Sequence, residues 1–434
     1  MNMNVLTKAV TTYVLTLLCC TICAQYPKDD IAQNIKRSAS NIMAYPGPQQ
    51  HRLSPAPTGK RPFYISHFGR CGSHHLTHKE IYDRPWHVLA AADSAGKLTH
   101  KGLDVKRRVD LLRSNALGRH GELTPLAAQQ QQLIMERLAE RFPEVFEGKT
   151  HVDARSNASS RCILTMEHAL LQLTRMNPRI RLHHNATKRD GYYLGHEGHH
   201  QREPQMSPDA QAAYDKFCRR HEKYATLMHK LFNDKDYVRQ HVDARQLGHD
   251  LFVLAGQVQN TELRQQLTLY DLFSDSELYH YWAKENAWWY INYGGCTLSD
   301  GHQPRSQHAL LRKIISDADS LLKLPAPGIQ LRFGHETSIL PLACLMDINH
   351  WGLATNRLKA LDKKGWATYH IIPTSANIQL IFYRSNPDDQ DVWVKVLYNE
   401  EEATLPLPAD QAPYYRWSDF RSYYLNKLDG YEED

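Results

Sequence analysis

The stretch Phe63-Tyr64-Ile65-Ser66-His67, followed after Phe68 by Gly69-Arg70-Cys71-Gly72-Ser73, decides how the rest of the chain is read. The first run follows Pro62 and is mostly aromatic or β-branched, which predicts a short buried strand. The second is flanked by glycines and predicts a tight loop. A helix is expected to follow near Lys79.

The same order recurs further along the chain. Thr150-His151-Val152-Asp153-Ala154 reads as a strand, Ser156 to Ser160 as a loop, and Arg161 through Leu173 as a helix whose apolar positions are Ile163, Met166, Leu170 and Leu173. Ile329-Gln330-Leu331-Arg332-Phe333 is again a strand, Gly334-His335-Glu336-Thr337 a loop, and Ser338 to Met346 an apolar helix. Strand, loop and helix in repetition predict an α/β fold with a central sheet flanked by helices, its site lying beyond the strand C-termini. Thr124-Pro125 opens one more helix, with a capping residue, proline in the first turn, and Ile134, Leu138 and Phe142 on one face before Pro143 ends it. Asn377 to Arg384 and Val392 to Leu397 read as a hairpin around Ser385-Asn386-Pro387-Asp388-Asp389.

At 434 residues the chain exceeds one simple core, yet no Pro/Ser/Gly-rich linker divides it. Residues 181–295 carry charged and aromatic side chains at helical spacing, so they are expected to form an inserted, mostly helical lobe. The α/β domain then comprises residues 25–180 and 296–434. Residues 1–24 contain Lys8, an apolar run from Ala9 through Cys20, and Ala24 before Gln25, the order of a secretory signal. A periplasmic or secreted protein beginning at Gln25 is expected, with no membrane-spanning segment. The cysteines that remain are Cys71, Cys162, Cys218, Cys296 and Cys344, an odd set in which one thiol must stay unpaired within the chain. A net charge of +5 over this length does not suggest a nucleic-acid partner.

A phosphate monoester is a dianion, so its hydrolysis needs fixed cations, an in-line nucleophile and an acid for the leaving oxygen. Arg70 and Arg161 each fall in a predicted loop near a helix start, where backbone N–H groups also attract anions. His335 and Glu336 occupy the equivalent place in the last unit. A donor to phosphoryl oxygen and a proton-donating carboxyl group would stand there side by side.

Gly69-Arg70-Cys71-Gly72-Ser73-His74 resembles the Arg-His-Gly-x-Arg signature of histidine acid phosphatases. Ser159-Ser160-Arg161-Cys162 resembles that family's further phosphate arginine, and Gly334-His335-Glu336-Thr337 its C-terminal His-Asp or His-Ala-Glu motif. Gly121-Glu122-Leu123-Thr124-Pro125 and Ile378 to Arg384 resemble the branch of multiple inositol polyphosphate phosphatases. The resemblance implies phosphate binding by Arg70, Arg161 and His335, proton donation by Glu336, no metal cofactor, and a small polyanionic phosphate ester such as phytate as partner. It places Cys71 where the family has its nucleophilic histidine and His74 where it has a second arginine. Cys71 is not in the loop of cysteine-dependent phosphatases, since the arginine expected six positions later is Thr77. The family's lobe roofs the pocket, which makes Lys188 and Arg189, in the basic run with Arg181, His183 and His184, candidates for outer phosphates; an ordinary charged surface is the competing reading. Two alternatives stand beside the phosphatase: an inactive pseudophosphatase that still binds polyphosphorylated ligands, and a zinc hydrolase built on His196 and His200 of a His-Glu-x-x-His pattern. Gly195, Gly198 and Pro204 work against the regular helix that the zinc site needs.

Overall fold

Arg61–Arg70 forms strand β1, the centre of an eight-stranded mixed sheet ordered β3-β2-β4-β1-β5-β6-β7, with β8 also paired to β6. In this computed structural model, which describes residues 26–50, 52–189, 191–194 and 206–431, β2 is His151–Ser156, β3 Arg181–Asn185, β4 Gly328–Gly334, β5 Asn377–Arg384, β6 Trp393–Tyr398, β7 Glu401–Glu402 and β8 Tyr414–Arg416. β1 runs parallel to β4, β4 to β2 and β2 to β3, whereas β5 lies antiparallel to β1 and forms the expected hairpin with β6. The described helices of eight or more residues are α1 Glu80–Ser94, α2 His100–Ala116, α3 Pro125–Arg141, α4 Ser160–Met176, α5 Pro208–Arg220, α6 Ala244–Gln257, α7 Asp275–Tyr293, α8 His308–Leu321, α9 Glu336–Leu345 and α10 Trp417–Asp429. None of the described helices is long and apolar enough to cross a membrane.

The alternation of side chains along β5 shows how the sheet is buried on both faces. Ile378, Leu380 and Phe382 join a core shared with α1, α2 and α6 to α10, while Ile381 and Tyr383 join the core under α3 and α4. Ile134 and Leu138 of α3 and Phe142 just beyond it join that second core, as the sequence spacing predicts, and Met135 joins them. Thr124 does stand at the N-cap of α3, but its side chain does not cap the helix. Its hydroxyl donates to Ser73 O (3.3 Å) instead, tying the helix start to the Arg70–Ser73 loop.

Residues 208–293 are largely helical, and their apolar side chains, Leu247, Leu251 and Trp282 among them, belong to the same core as Tyr64 and Phe382 of the sheet. The expected start of the lobe needs correction. Arg181–Asn185 is not helical but the edge strand β3, paired in parallel with β2. Its side chains are mostly exposed, so only backbone pairing identifies it. His183 and His184 of the basic run face Asp153 (2.8 Å) and Glu167 (3.1 Å), carboxylates of β2 and α4.

α6 is tied to α1 and α7 by a charged triad. Arg84 donates two hydrogen bonds to the buried Asp250 (2.9 and 2.8 Å), and His249 Nε2 lies 2.9 Å from Glu285. Burial opposes the His249 charge, but Asp250 and Glu285 outweigh it and raise its pKa from the ordinary 6.5 to about 9. A pKa raised in the folded state contributes stability that is fully present below the unfolded value and is lost as pH rises through the folded one. Unfolding midpoints measured from pH 6.5 to 9 are therefore expected to fall more steeply for the wild type than for His249→Gln. Parallel curves would exclude this triad as a source of pH dependence.

Candidate functional site

β1 delivers Arg70 and Cys71 to the C-terminal edge of the parallel strands. The Cys71 N–H donates to Gly334 O (3.0 Å) and the Cys71 carbonyl accepts from Ser375 N (3.0 Å), which clamps the residue between the end of β4 and the entry to β5. Gly72 follows because nothing larger fits: a Cβ there would lie 2.6 Å from Ala127 Cβ. Ser73 is held from behind by Gln130 Oε1 (3.0 Å to its N–H) and by Asn260 Oδ1 (2.7 Å from its hydroxyl).

Arg161 is in the first turn of α4, and the chain from Gly121 to Thr124 runs beside it. Gly121 has φ +77°, a backbone shape that favours glycine, and it lies beside Arg161 Nη1, which a Cβ there would meet at an ordinary 3.8 Å. Burial works against the Arg161 charge, but the negative charges of Cys71 and Glu336 outweigh it and push the guanidinium pKa up.

His335 precedes α9 as its N-cap residue and Glu336 begins the helix. Arg161 Nη2 is 3.4 Å from His335 Nδ1. Arg70 is completely buried and largely committed to the fold, because its Nη1 donates to Asn41 O (2.7 Å) and Ile372 O (2.6 Å). Its Nη2 forms an ion pair with Glu336 Oε2 (3.1 Å), while its Nε makes no hydrogen bond among the described residues. Only one edge of this guanidinium is thus left for a ligand. Burial raises the Glu336 pKa, yet Arg70 foremost outweighs it and holds the carboxyl below its usual range. Arg70 therefore favours the ionised form of Glu336, against the proton that a general acid must give.

Cys71 meets a second thiol. Cys162 Sγ donates to Gly334 O (3.2 Å) and lies 3.6 Å from His335 Nδ1, and Cys71 Sγ is 4.0 Å from the same nitrogen. The adjoining Cys162 thiol, acting against burial and helped by His74, His335 and Arg70, holds Cys71 well below its ordinary value, whereas burial pushes Cys162 up. The sequence analysis gives Cys162 no role of its own. The signal was present in its position next to Arg161, but the contact joins residues far apart in the chain.

The remaining predicted residues take different places. His74 is partly buried, with Nδ1 2.9 Å from Gly72 O, and its charge acts on both Cys71 and Glu336. Lys188 and Arg189 are exposed on the stretch after β3. That stretch reaches the rim of the site, since a Cβ on Gly191 would lie 3.0 Å from Ser156 O at the end of β2. His196 and His200 lie outside the described residues. Sequence reasoning did not identify Gln130, Asn260, Asn41 or Ile372, which brace the loop through side-chain amides and main-chain carbonyls.

The sheet gathers two arginines, a histidine and a carboxylate near the C-terminal ends of its parallel strands, where open α/β sheets place ligands. The chain belongs to the histidine phosphatase superfamily (branch 2), which it matches over residues 100–399. The multiple inositol polyphosphate phosphatase of Bifidobacterium longum, solved with inositol hexasulfate, superposes with a TM-score of 0.72 at 14% identity, covering 89% of this chain and 97% of that one. Its complex with phosphate gives 0.71 at 16% identity, covering 90% and 98%. The phytase from D. castellii gives 0.66 at 12% identity, covering 92% and 86%. No curated protein matches the sequence at a significant level.

Proposed function

We propose that this protein is exported and that it recognises inositol polyphosphates of the phytate class, hydrolysing their phosphomonoesters only slowly. One observation carries the reading: Arg70, Arg161, His335 and Glu336 converge on Cys71, the position at which the family places its nucleophile. Arg161 and the free edge of Arg70 supply charge for phosphoryl oxygens, and His335 supplies a ring nitrogen. Attenuated turnover follows from three departures. A buried cysteine replaces imidazole, His74 replaces a permanently charged fork, and Arg70 holds the Glu336 carboxyl below its usual range. Export rests on residues 1–24 alone, which lie outside the described residues.

Binding of phytate, followed by calorimetry, is expected to weaken as salt rises, because ionic contacts are screened over about 8–10 Å at ordinary ionic strength. Arg161→Ala is expected to cost more affinity than Lys188→Ala, since Arg161 lies beside His335 whereas Lys188 is exposed on the stretch after β3. Equal losses would remove Arg161 from the site. Absence of binding by the wild type would overturn the phosphatase-type and the binding-only readings together, and binding with no phosphate release from acid to neutral pH would select the second.

A further inference from the structure

We infer that Cys71, Cys162 and His335 form a binding site for a thiophilic cation, zinc being the natural probe. The side-chain donors Cys71 Sγ, Cys162 Sγ and a ring nitrogen of His335 all lie within 4.8 Å of one another, and all three residues are buried. Tetrahedral zinc with Zn–S of about 2.3 Å and Zn–N of about 2.0–2.1 Å requires S···N edges of about 3.6 Å and an S···S edge of about 3.8 Å. Cys162 Sγ lies 3.6 Å from His335 Nδ1 and 3.9 Å from its Nε2, and Cys71 Sγ lies 4.0 Å from Nδ1, so the donors stand near those edge lengths, and a turn of the imidazole that aims one ring nitrogen between the two sulfurs completes the site. Two thiols and an imidazole form a donor set that selects zinc or another soft ion over magnesium or calcium.

The surroundings suit such an ion. The backbone on either side of Cys71 is pinned to Gly334 and Ser375, and His335 starts α9, so the donors are carried by braced elements. Binding replaces the thiol protons, which pass to solvent, and two thiolates neutralise a divalent ion. That neutrality limits repulsion from Arg70 and Arg161. Arg161 Nη2, now 3.4 Å from Nδ1, must yield that lone pair to the ion. Three protein ligands leave the fourth tetrahedral position for water or an anion. A disulfide between the two thiols would use the sulfurs but leaves the imidazole beside both of them without a role. The inference does not require that phytate be the ligand of the pocket.

The test uses the whole mature protein, reduced, stripped with chelator and titrated with zinc against a chromophoric competitor, with cobalt(II) as a spectroscopic probe. One zinc per chain and a thiolate-to-cobalt charge-transfer band in the near ultraviolet are expected. Outer-shell partners of metals are worth about ten- to a hundredfold in affinity, so loss of a direct ligand in Cys162→Ala or His335→Ala is expected to cost more than about a hundredfold. Cys344→Ala removes a buried thiol outside the cluster and is expected to leave affinity unchanged. Circular dichroism checks that each variant is folded. Undiminished binding in Cys162→Ala would place the ion elsewhere, for example on His196 and His200, and overturn the assignment. So would absence of binding by the reduced wild type, or a cobalt spectrum without the thiolate band.

Discussion

Cys71→His combined with His74→Arg is expected to raise phosphate release from phytate by about a hundred- to a thousandfold over the wild type, the range typical for one correctly placed donor to developing charge. Cys71→His alone is expected to give a small gain. The wild-type Cys71 is fully buried and its Sγ rests beside Cys162 and His335, contacts that must be given up when a sulfur–phosphorus bond forms. Imidazole attacks as a neutral nitrogen and its phosphorylated form hydrolyses readily. It is also larger than a thiol, and overpacking a filled site costs about 1–3 kcal/mol. Adding Cys162→Ala is expected to relieve that crowding and raise the rate of the pair further. Arginine at position 74 restores a planar fork beside the phosphoryl group, which His74, turned toward Gly72 O, does not provide. The assays belong in chelator, so that metal capture by the thiols does not enter the comparison. A wild type that turns over briskly, with Cys71→Ser dead, would make Cys71 a working nucleophile and end this account. A double variant that folds and binds phytate without hydrolysing it would move the defect to Glu336.

Asp317→Ala is expected to destabilise the fold by about 3–5 kcal/mol in urea unfolding, the usual consequence of leaving one member of a buried ion pair alone. Arg332 is completely buried on β4, where its Nη2 donates to Asp317 Oδ2 on α8 (2.6 Å) and its Nη1 to Ser66 Oγ on β1 (3.0 Å). Gln330 Nε2 donates to the same Asp317 oxygen (3.0 Å). Removing the carboxylate leaves a guanidinium in the sheet with no counter-charge. Replacing both partners, as in Asp317→Leu with Arg332→Met, is expected to recover most of the loss, because an apolar pair of similar volume escapes the desolvation cost. A loss below about 1 kcal/mol for Asp317→Ala would show the pair to be solvated like a surface bridge. The same pair fixes α8 against β4, two residues before Gly334, so the single variant should also loosen the site.

β1, β2 and β4 were legible in the sequence because each is a short apolar run bounded by proline, glycine or small polar residues, and such patterns are local. The same holds for α3, α4 and the β5–β6 hairpin. The order of glycines and arginines around Cys71 and the His335-Glu336 pair likewise carried the resemblance to histidine acid phosphatases and its departures from their signature. β3 was not legible, because Arg181–Asn185 is a basic and largely exposed segment whose only strand signal is its backbone pairing to β2. Nor could local pattern reveal that Arg70 lends one end to Asn41 and Ile372, that it holds the Glu336 carboxyl below its usual range, or that Cys162 stands against Cys71 and His335. Residue type and spacing along the chain specified which elements form and which chemical groups reach the strand ends. Tertiary packing decided which of those groups touch, because burial, charge pairing and proton occupancy depend on neighbours that the chain brings together only when the sheet is complete.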